Sequence, residues 1–298
     1  MRTGARLGAV VCLALAALCL RPSAVAGEDA PPGTERVRIA KLEPKDEPDG
    51  TYLAFEGTST YPQGVVLACE VRYFGRLVPG AGLYSRVKKG RFVARVGPLP
   101  GRLLPGTYQA VVRFSGADQI RELFSLIADE SDAVFTSDLN VGTAEEIRAF
   151  EQKYNDAVRG LMESIDALVM ELDQACTEAS NGKRWAAAEG LDRDASVSWM
   201  QGCEQRFREG LRTLDPFCDG AVPYRPDFTE VLSLSAESFH DIACARMKGL
   251  FAEKNLPLPE PYVPNRFDLP ADLLEKQLIG EALQPVRDYL DPPKKKDR

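Results

Sequence analysis

The chain has 298 residues, a formal charge of -7 and 44% hydrophobic residues. That is enough apolar material for a folded interior, and more length than one average domain needs. The acidic balance disfavours nucleic acid and anionic lipid surfaces as partners, and a single histidine leaves little material for histidine-based chemistry.

The N-terminus carries the most specific signal. Arg2 and Arg6 precede an apolar run from Leu7 to Leu20, Arg21-Pro22-Ser23 interrupts it, and Ala24-Val25-Ala26 places small residues before Gly27. This order is the pattern of a secretory signal peptide cleaved between Ala26 and Gly27. The run is shorter than the about 20 apolar residues of a membrane span. Cys12 and Cys19 follow Val11 and Leu18, not the small residue that a lipid-modified cysteine requires. Residues 1–26 hold three arginines and no acid, so their removal takes the charge from -7 to -10. The expectation is a soluble mature protein in the periplasm or outside the cell. The short Ala/Leu/Arg-rich leader and the lack of any Asn-x-Ser/Thr sequon point to a bacterial source.

Residues 27–35 read as a disordered polar leader. From residue 36 to 130 the apolar period is two. Val65, Leu67, Cys69, Val71 and Tyr73 share one strand face, as do Phe92, Ala94 and Val96, and Tyr108, Ala110, Val112 and Phe114. Turn signals at Pro48-Asp49-Gly50, Pro62-Gln63-Gly64, Pro79-Gly80, Lys89-Gly90 and Pro105-Gly106 divide the segment into about seven short strands, the last near 120–127. This predicts an immunoglobulin-like antiparallel β-sandwich.

Leu104-Pro105-Gly106-Thr107-Tyr108 sharpens that expectation, because a tyrosine just after a Pro-Gly corner resembles the tyrosine corner of Greek-key sandwiches. Together with Gly57-Thr58-Ser59-Thr60-Tyr61-Pro62-Gln63-Gly64, residues 36–127 resemble the small sandwich modules of bacterial envelope proteins. The resemblance implies a fold and no activity. Tyr108 is expected to be a structural lock.

Residues 131–142 read as a linker, and the period then changes. Thr143 and Glu146 form a capping box. Ile147, Phe150, Tyr154, Val158, Leu161, Ile165, Leu168 and Leu172 follow at steps of three and four, a helix of about 35 residues and roughly 50 Å. Met200, Cys203, Phe207, Leu211 and Leu214 mark a second helix before Pro216. Phe228, Val231, Leu232, Phe239, Ile242, Ala243 and Leu250 mark a third before Pro257. A proline-rich connector leads to a fourth from Pro270, at N1, to Leu290. The expected second domain, 143–290, is therefore an up-and-down helical bundle with one long first helix, closed by a basic disordered tail at 291–298. Charge divides with the domains, +3 over residues 35–130 and -11 over residues 131–298.

Export makes the cysteines interpretable. Cys69 lies on the apolar strand face and reads as buried and inert. Cys176, Cys203, Cys218 and Cys244 form an even set in one exported domain, so they are disulfide candidates. Antiparallel geometry favours Cys176 with Cys244 and Cys203 with Cys218. The competing reading is a metal site, since His240 and Cys244 are four apart on a helix and Glu237-Ser238-Phe239-His240 has a Glu-x-x-His spacing. A di-iron bundle needs two such motifs, and zinc sites have short paired spacings that this chain lacks. No metal or cofactor is expected.

Enzyme signatures are sparse. There is no Gly-x-Ser-x-Gly elbow, nucleotide loop or Cys-x-x-Cys pair. Ser85-Arg86-Val87-Lys88 matches Ser-x-x-Lys but falls on a strand without companion motifs. The reading is a non-catalytic binding or scaffold protein of the bacterial envelope, its partner an envelope protein or polysaccharide. The alternative is a hydrolase of carbohydrate or cell-wall material, using two carboxylates at the domain junction.

Overall fold

The alternating runs are strands and the three-four runs are helices in the computed structural model, which describes residues 36–187, 190–257 and 269–292. The signal peptide and its Ala26–Gly27 cleavage, the leader at 27–35, the centre of the proline-rich connector and the tail from 293 onward lie outside the described residues.

Seven strands come first: β1 (Val37–Glu47), β2 (Gly50–Ser59), β3 (Val66–Tyr73), β4 (Arg76–Arg86), β5 (Arg91–Val96), β6 (Gly106–Phe114) and β7 (Ala133–Val141). They form two antiparallel sheets, ordered β1-β2-β5 and β4-β3-β6-β7. Leu67, Cys69, Val71 and Tyr73 on β3, Phe92, Ala94 and Val96 on β5, and Tyr108, Ala110, Val112 and Phe114 on β6 are all buried, as a period of two requires when one face is covered.

Two expectations are corrected here. Residues 131–142 are not a linker, because β7 pairs along the whole of β6, from Phe114 opposite Ala133 to Gly106 opposite Val141. Its alternation of Ala133, Phe135, Ser137, Leu139 and Val141 is diluted by polar residues and gives only half-burial. Residues 120–127 are not a strand, but a 3-10 turn at Arg121–Leu123 followed by a helical turn at Phe124–Ile127. Leu123 and Ile127, four apart, are its buried contacts. The side chain of Gln119 ties this insert to β3: its Oε1 accepts from the Val66 N–H at 2.8 Å, and its Nε2 donates to the Val66 carbonyl at 2.8 Å.

Long helices follow. α1 (Ala144–Ser180, 37 residues) starts at the reciprocal Thr143/Glu146 box, with the Thr143 N–H donating to Glu146 Oε2 at 2.7 Å and the Glu146 N–H donating to Thr143 Oγ1 at 3.2 Å. It ends at Gly182, whose φ of 68° suits a left-handed cap, with the Lys183 N–H bonded to the Glu178 carbonyl at 2.8 Å. α2 is Arg193–Leu211, capped by Asp192, and α3 is Pro226–Glu253. The last run is interrupted: α4 (Ala271–Glu275), a π-type turn at Lys276–Glu281 and α5 (Gln284–Leu290), with Pro270 in the N-cap position and not at N1.

The chain divides into two units whose borders differ from a simple cut near residue 142. The β-rich unit keeps the start of α1 through Glu151 and takes back residues 217–226. That returning loop is held by aromatic packing: Tyr224 lies 5.0 Å from Phe74 and 5.2 Å from Phe150, and Phe150 lies 5.1 Å from Phe217. The Ala221 N–H also donates to the Arg102 carbonyl at 3.0 Å.

The helical unit holds the rest of α1 together with α2, α3, α4 and α5. Its contacts fix the helix directions. Glu171 with Arg206, and Leu161 against Gly210, run α1 and α2 antiparallel. Glu204 with His240, and Phe207 stacked on Phe239, do the same for α2 and α3. Arg159 with Asp291 and Arg287 with Asp166 set α5 antiparallel to α1. Arg246 of α3 reaches Asp173 of α1 and both Asp272 and Glu275 of α4. Among the described residues no helix is long and apolar enough to cross a membrane.

Gly106 combines a backbone conformation that favours glycine with a crowded Cβ position. Its φ is 153°, and a Cβ there would meet the Tyr73 ring at 2.7–2.8 Å. Gly106→Ala should therefore cost about 2–3 kcal/mol through backbone strain and overpacking. Tyr108→Phe should cost about 1–3 kcal/mol through the unpaired backbone groups it leaves. Chemical denaturation followed by fluorescence checks both.

Candidate functional site

The tyrosine at the corner is held on both sides. The Leu104 N–H donates to Tyr108 Oη at 3.0 Å, and Tyr108 Oη donates to the Leu104 carbonyl at 3.1 Å. Tyr73 stacks on it at 4.2 Å and donates to the Pro105 carbonyl at 2.9 Å. Burial pushes both phenols well above the usual range, so they act as neutral locks. Ser85, of the Ser-x-x-Lys match, is buried with Oγ donating to the Val93 carbonyl at 2.7 Å, which places it in structure.

The cysteines are distributed differently from the expected bridges. Cys69, Cys176, Cys203, Cys218 and Cys244 all carry free thiols. Neither Cys176–Cys244 nor Cys203–Cys218 is formed. Cys203 Sγ accepts from Arg206 Nη2 at 3.2 Å, beside the Arg206–Glu171 ion pair. Cys244 Sγ faces His240. Cys218 is exposed on the returning loop, in the other unit from Cys203. Burial raises the Cys69 thiol to about 12 and that of Cys176 to about 11, and it also raises Cys203. These thiols are held protonated and unreactive at neutral pH.

Cys244 has an acid–base partner. The imidazole Nε2 of His240 lies 3.4 Å from its Sγ, and Nδ1 lies 2.9 Å from Glu204 Oε1 on α2. Helical spacing brings His240 and Cys244 together, four residues apart on α3. Packing of α2 against α3 supplies Glu204, whose side chain is only 12% exposed. An ionised carboxylate can only accept, so Nδ1 carries the proton it shares with Glu204, and Nε2 is the nitrogen that faces the thiol. Bonding to Cys244 first and Glu204 second raises His240 to about 10, against the opposing effect of burial. Arg208, one turn along α2, lies 3.7 Å from the other Glu204 oxygen and helps hold it.

The sequence flagged His240 and Cys244 as a pair, and Glu204 carries no signal because it lies on another helix. The Glu237 motif does not enter: both ring nitrogens face Glu204 and Cys244, and among the described residues no three His, Cys, Asp or Glu side chains are grouped to hold a metal ion.

The sign of the linkage follows. A histidine raised on folding stabilises the fold fully below its unfolded value of about 6.5, and that contribution is lost as pH rises through about 10. The stability difference between wild type and His240→Gln should therefore be largest near pH 6 and shrink by pH 10, as read from paired denaturation curves.

Compared with protein-family models, curated proteins and solved structures, the chain matches none.

Proposed function

We propose that this chain is an exported, non-catalytic binding or scaffold protein of the bacterial cell envelope. In this reading an immunoglobulin-like sandwich does the binding and an up-and-down helical bundle serves as spacer. The sheet orders β1-β2-β5 and β4-β3-β6-β7 suit the sandwich, and the alternating helix directions suit the bundle. The leader pattern of residues 1–26 supports export, and the periplasm or exterior is the proposed location.

One observation carries the binding role. The insert between β6 and β7 buries Leu123 and Ile127 but turns Ile120, Phe124 and Leu126 outward, Leu126 being 61% exposed. Apolar side chains offered this way mark interaction surfaces. Branched aliphatic groups suit a protein partner, because sugar recognition relies on flat aromatic faces and polar fans.

The hydrolase alternative draws no support from the displaced carboxylates. Glu146, bonded by the Thr143 backbone, and Glu171, bonded by Arg206, are both held below the usual range, whereas a general acid must be displaced upward.

A photo-cross-linking residue at position 126 in envelope-expressed protein should give one discrete protein adduct, identified by mass spectrometry and abolished by Phe124→Glu. The same residue at Glu163, on the exposed side of α1, should give none. Adducts that are equal at both positions, or absent from both, would remove the binding reading.

A further inference from the structure

The Glu204–His240–Cys244 line has no role in the binding function above, and its geometry makes an independent case. We propose that Cys244 is a reactive thiol, activated by His240 and Glu204, that accepts a thiol group from low-molecular-weight disulfides to form a mixed disulfide.

Three observations converge. The thiol is 3.4 Å from a ring nitrogen and the opposite ring nitrogen is 2.9 Å from a carboxylate, which is the order nucleophile, base, orienting acid. Glu204 is nearly buried, so its charge is little screened; it holds the Nδ1 proton and turns Nε2 toward sulfur. The His240 side chain is 38% exposed and Cys244 only 3%, so a reagent reaches the sulfur past the imidazole. That access favours small disulfides over protein disulfides.

The step balances without further reagents. In the reacting pair the Cys244 proton already sits on His240 Nε2, the ring being an imidazolium, and a sulfur lone pair attacks one sulfur of R–S–S–R. The S–S bond breaks, and the departing R–S⁻ takes the proton back from the imidazolium. The products are Cys244–S–S–R and R–SH, and a free thiol reverses the reaction.

The charged groups around the pair are Glu204 and Arg208 from α2, with Glu237 and Asp241 on its own helix. Asp241 is buried one residue from the ring. The nearest turn of α2 also carries Arg206, which bonds the Cys203 sulfur.

The test follows thiolation of the full chain by 4,4′-dithiodipyridine under pseudo-first-order conditions, with each adduct assigned by peptide mass mapping. An ordinary thiol of pKa about 8.5 gains about 50-fold in rate between pH ~6.5 and ~8.5, because only the thiolate reacts. N-acetylcysteine run in the same buffers should follow that curve. Cys244 should change less than about 3-fold over the same interval, because the His240 contact assists its attack. His240→Asn should restore the steep rise at Cys244 while its circular dichroism spectrum stays that of the wild type. Glu204→Gln should lie between the two. A rate at Cys244 that climbs in parallel with N-acetylcysteine, or no Cys244 adduct when the free thiol is fully consumed, would overturn the proposal.

Discussion

The stacked pair of Tyr73 and Tyr108 is the constraint on which the β-rich unit depends. Their rings lie 4.2 Å apart and their hydroxyls bond to the backbone of Leu104 and Pro105, so β3, β6 and the corner before β6 are tied at one point. The tie dictates its surroundings. Gly106 must be glycine because the Tyr73 ring occupies the space a Cβ would need. Tyr224 then packs 6.3 Å from Tyr73, which lets the segment between α2 and α3 join this unit. Two phenols whose polar ends are satisfied thus combine a large buried area with a fixed orientation.

The helical unit is organised by different means. α1 buries one stripe, from Tyr154 through Ala179, and such a stripe is stable only when other helices cover it. Apolar packing supplies the bulk of that contact, while a few polar ties select the register. Arg246 reaches three carboxylates on two other helices. Tyr289 Oη donates to Asn155 Oδ1 at 2.8 Å, joining the last helix to the first. The Glu204–His240 contact belongs to the same class, except that it also turns the second ring nitrogen toward a thiol.

Much of the architecture was legible in the sequence. The strands at 66–73, 91–96 and 106–114 announced themselves by strict alternation, and the start of α1 by the Thr143/Glu146 box, because these signals are local and strong. What escaped depends on distant partners or diluted patterns. β7 carries Thr136, Asp138 and Asn140 on its exposed side and only half-buries the other, so its alternation looked like loop. Ile120 to Ile127 has enough apolar residues for a strand, but Gln119 bonding 53 residues back to Val66 turns the chain into helical turns instead. The returning loop could not be anticipated, since only assembled aromatic packing reveals where Tyr224 goes. For the site, spacing alone brought His240 to Cys244, yet the carboxylate that orients the ring came from 36 residues away. The disulfide expectation failed for a related reason: an even cysteine count says nothing about which sulfurs face one another.

Glu204, His240 and Cys244 are proposed to behave as one coupled acid–base unit. Because the chain has a single histidine, its ring Cε1–H proton can be followed without ambiguity by NMR across a pH titration. One transition is expected, displaced far above the ordinary value of about 6.5, toward the neighbourhood of 10, and brought back down in Cys244→Ala. A transition near 6.5 in the native protein, unmoved by Cys244→Ala, would contradict it.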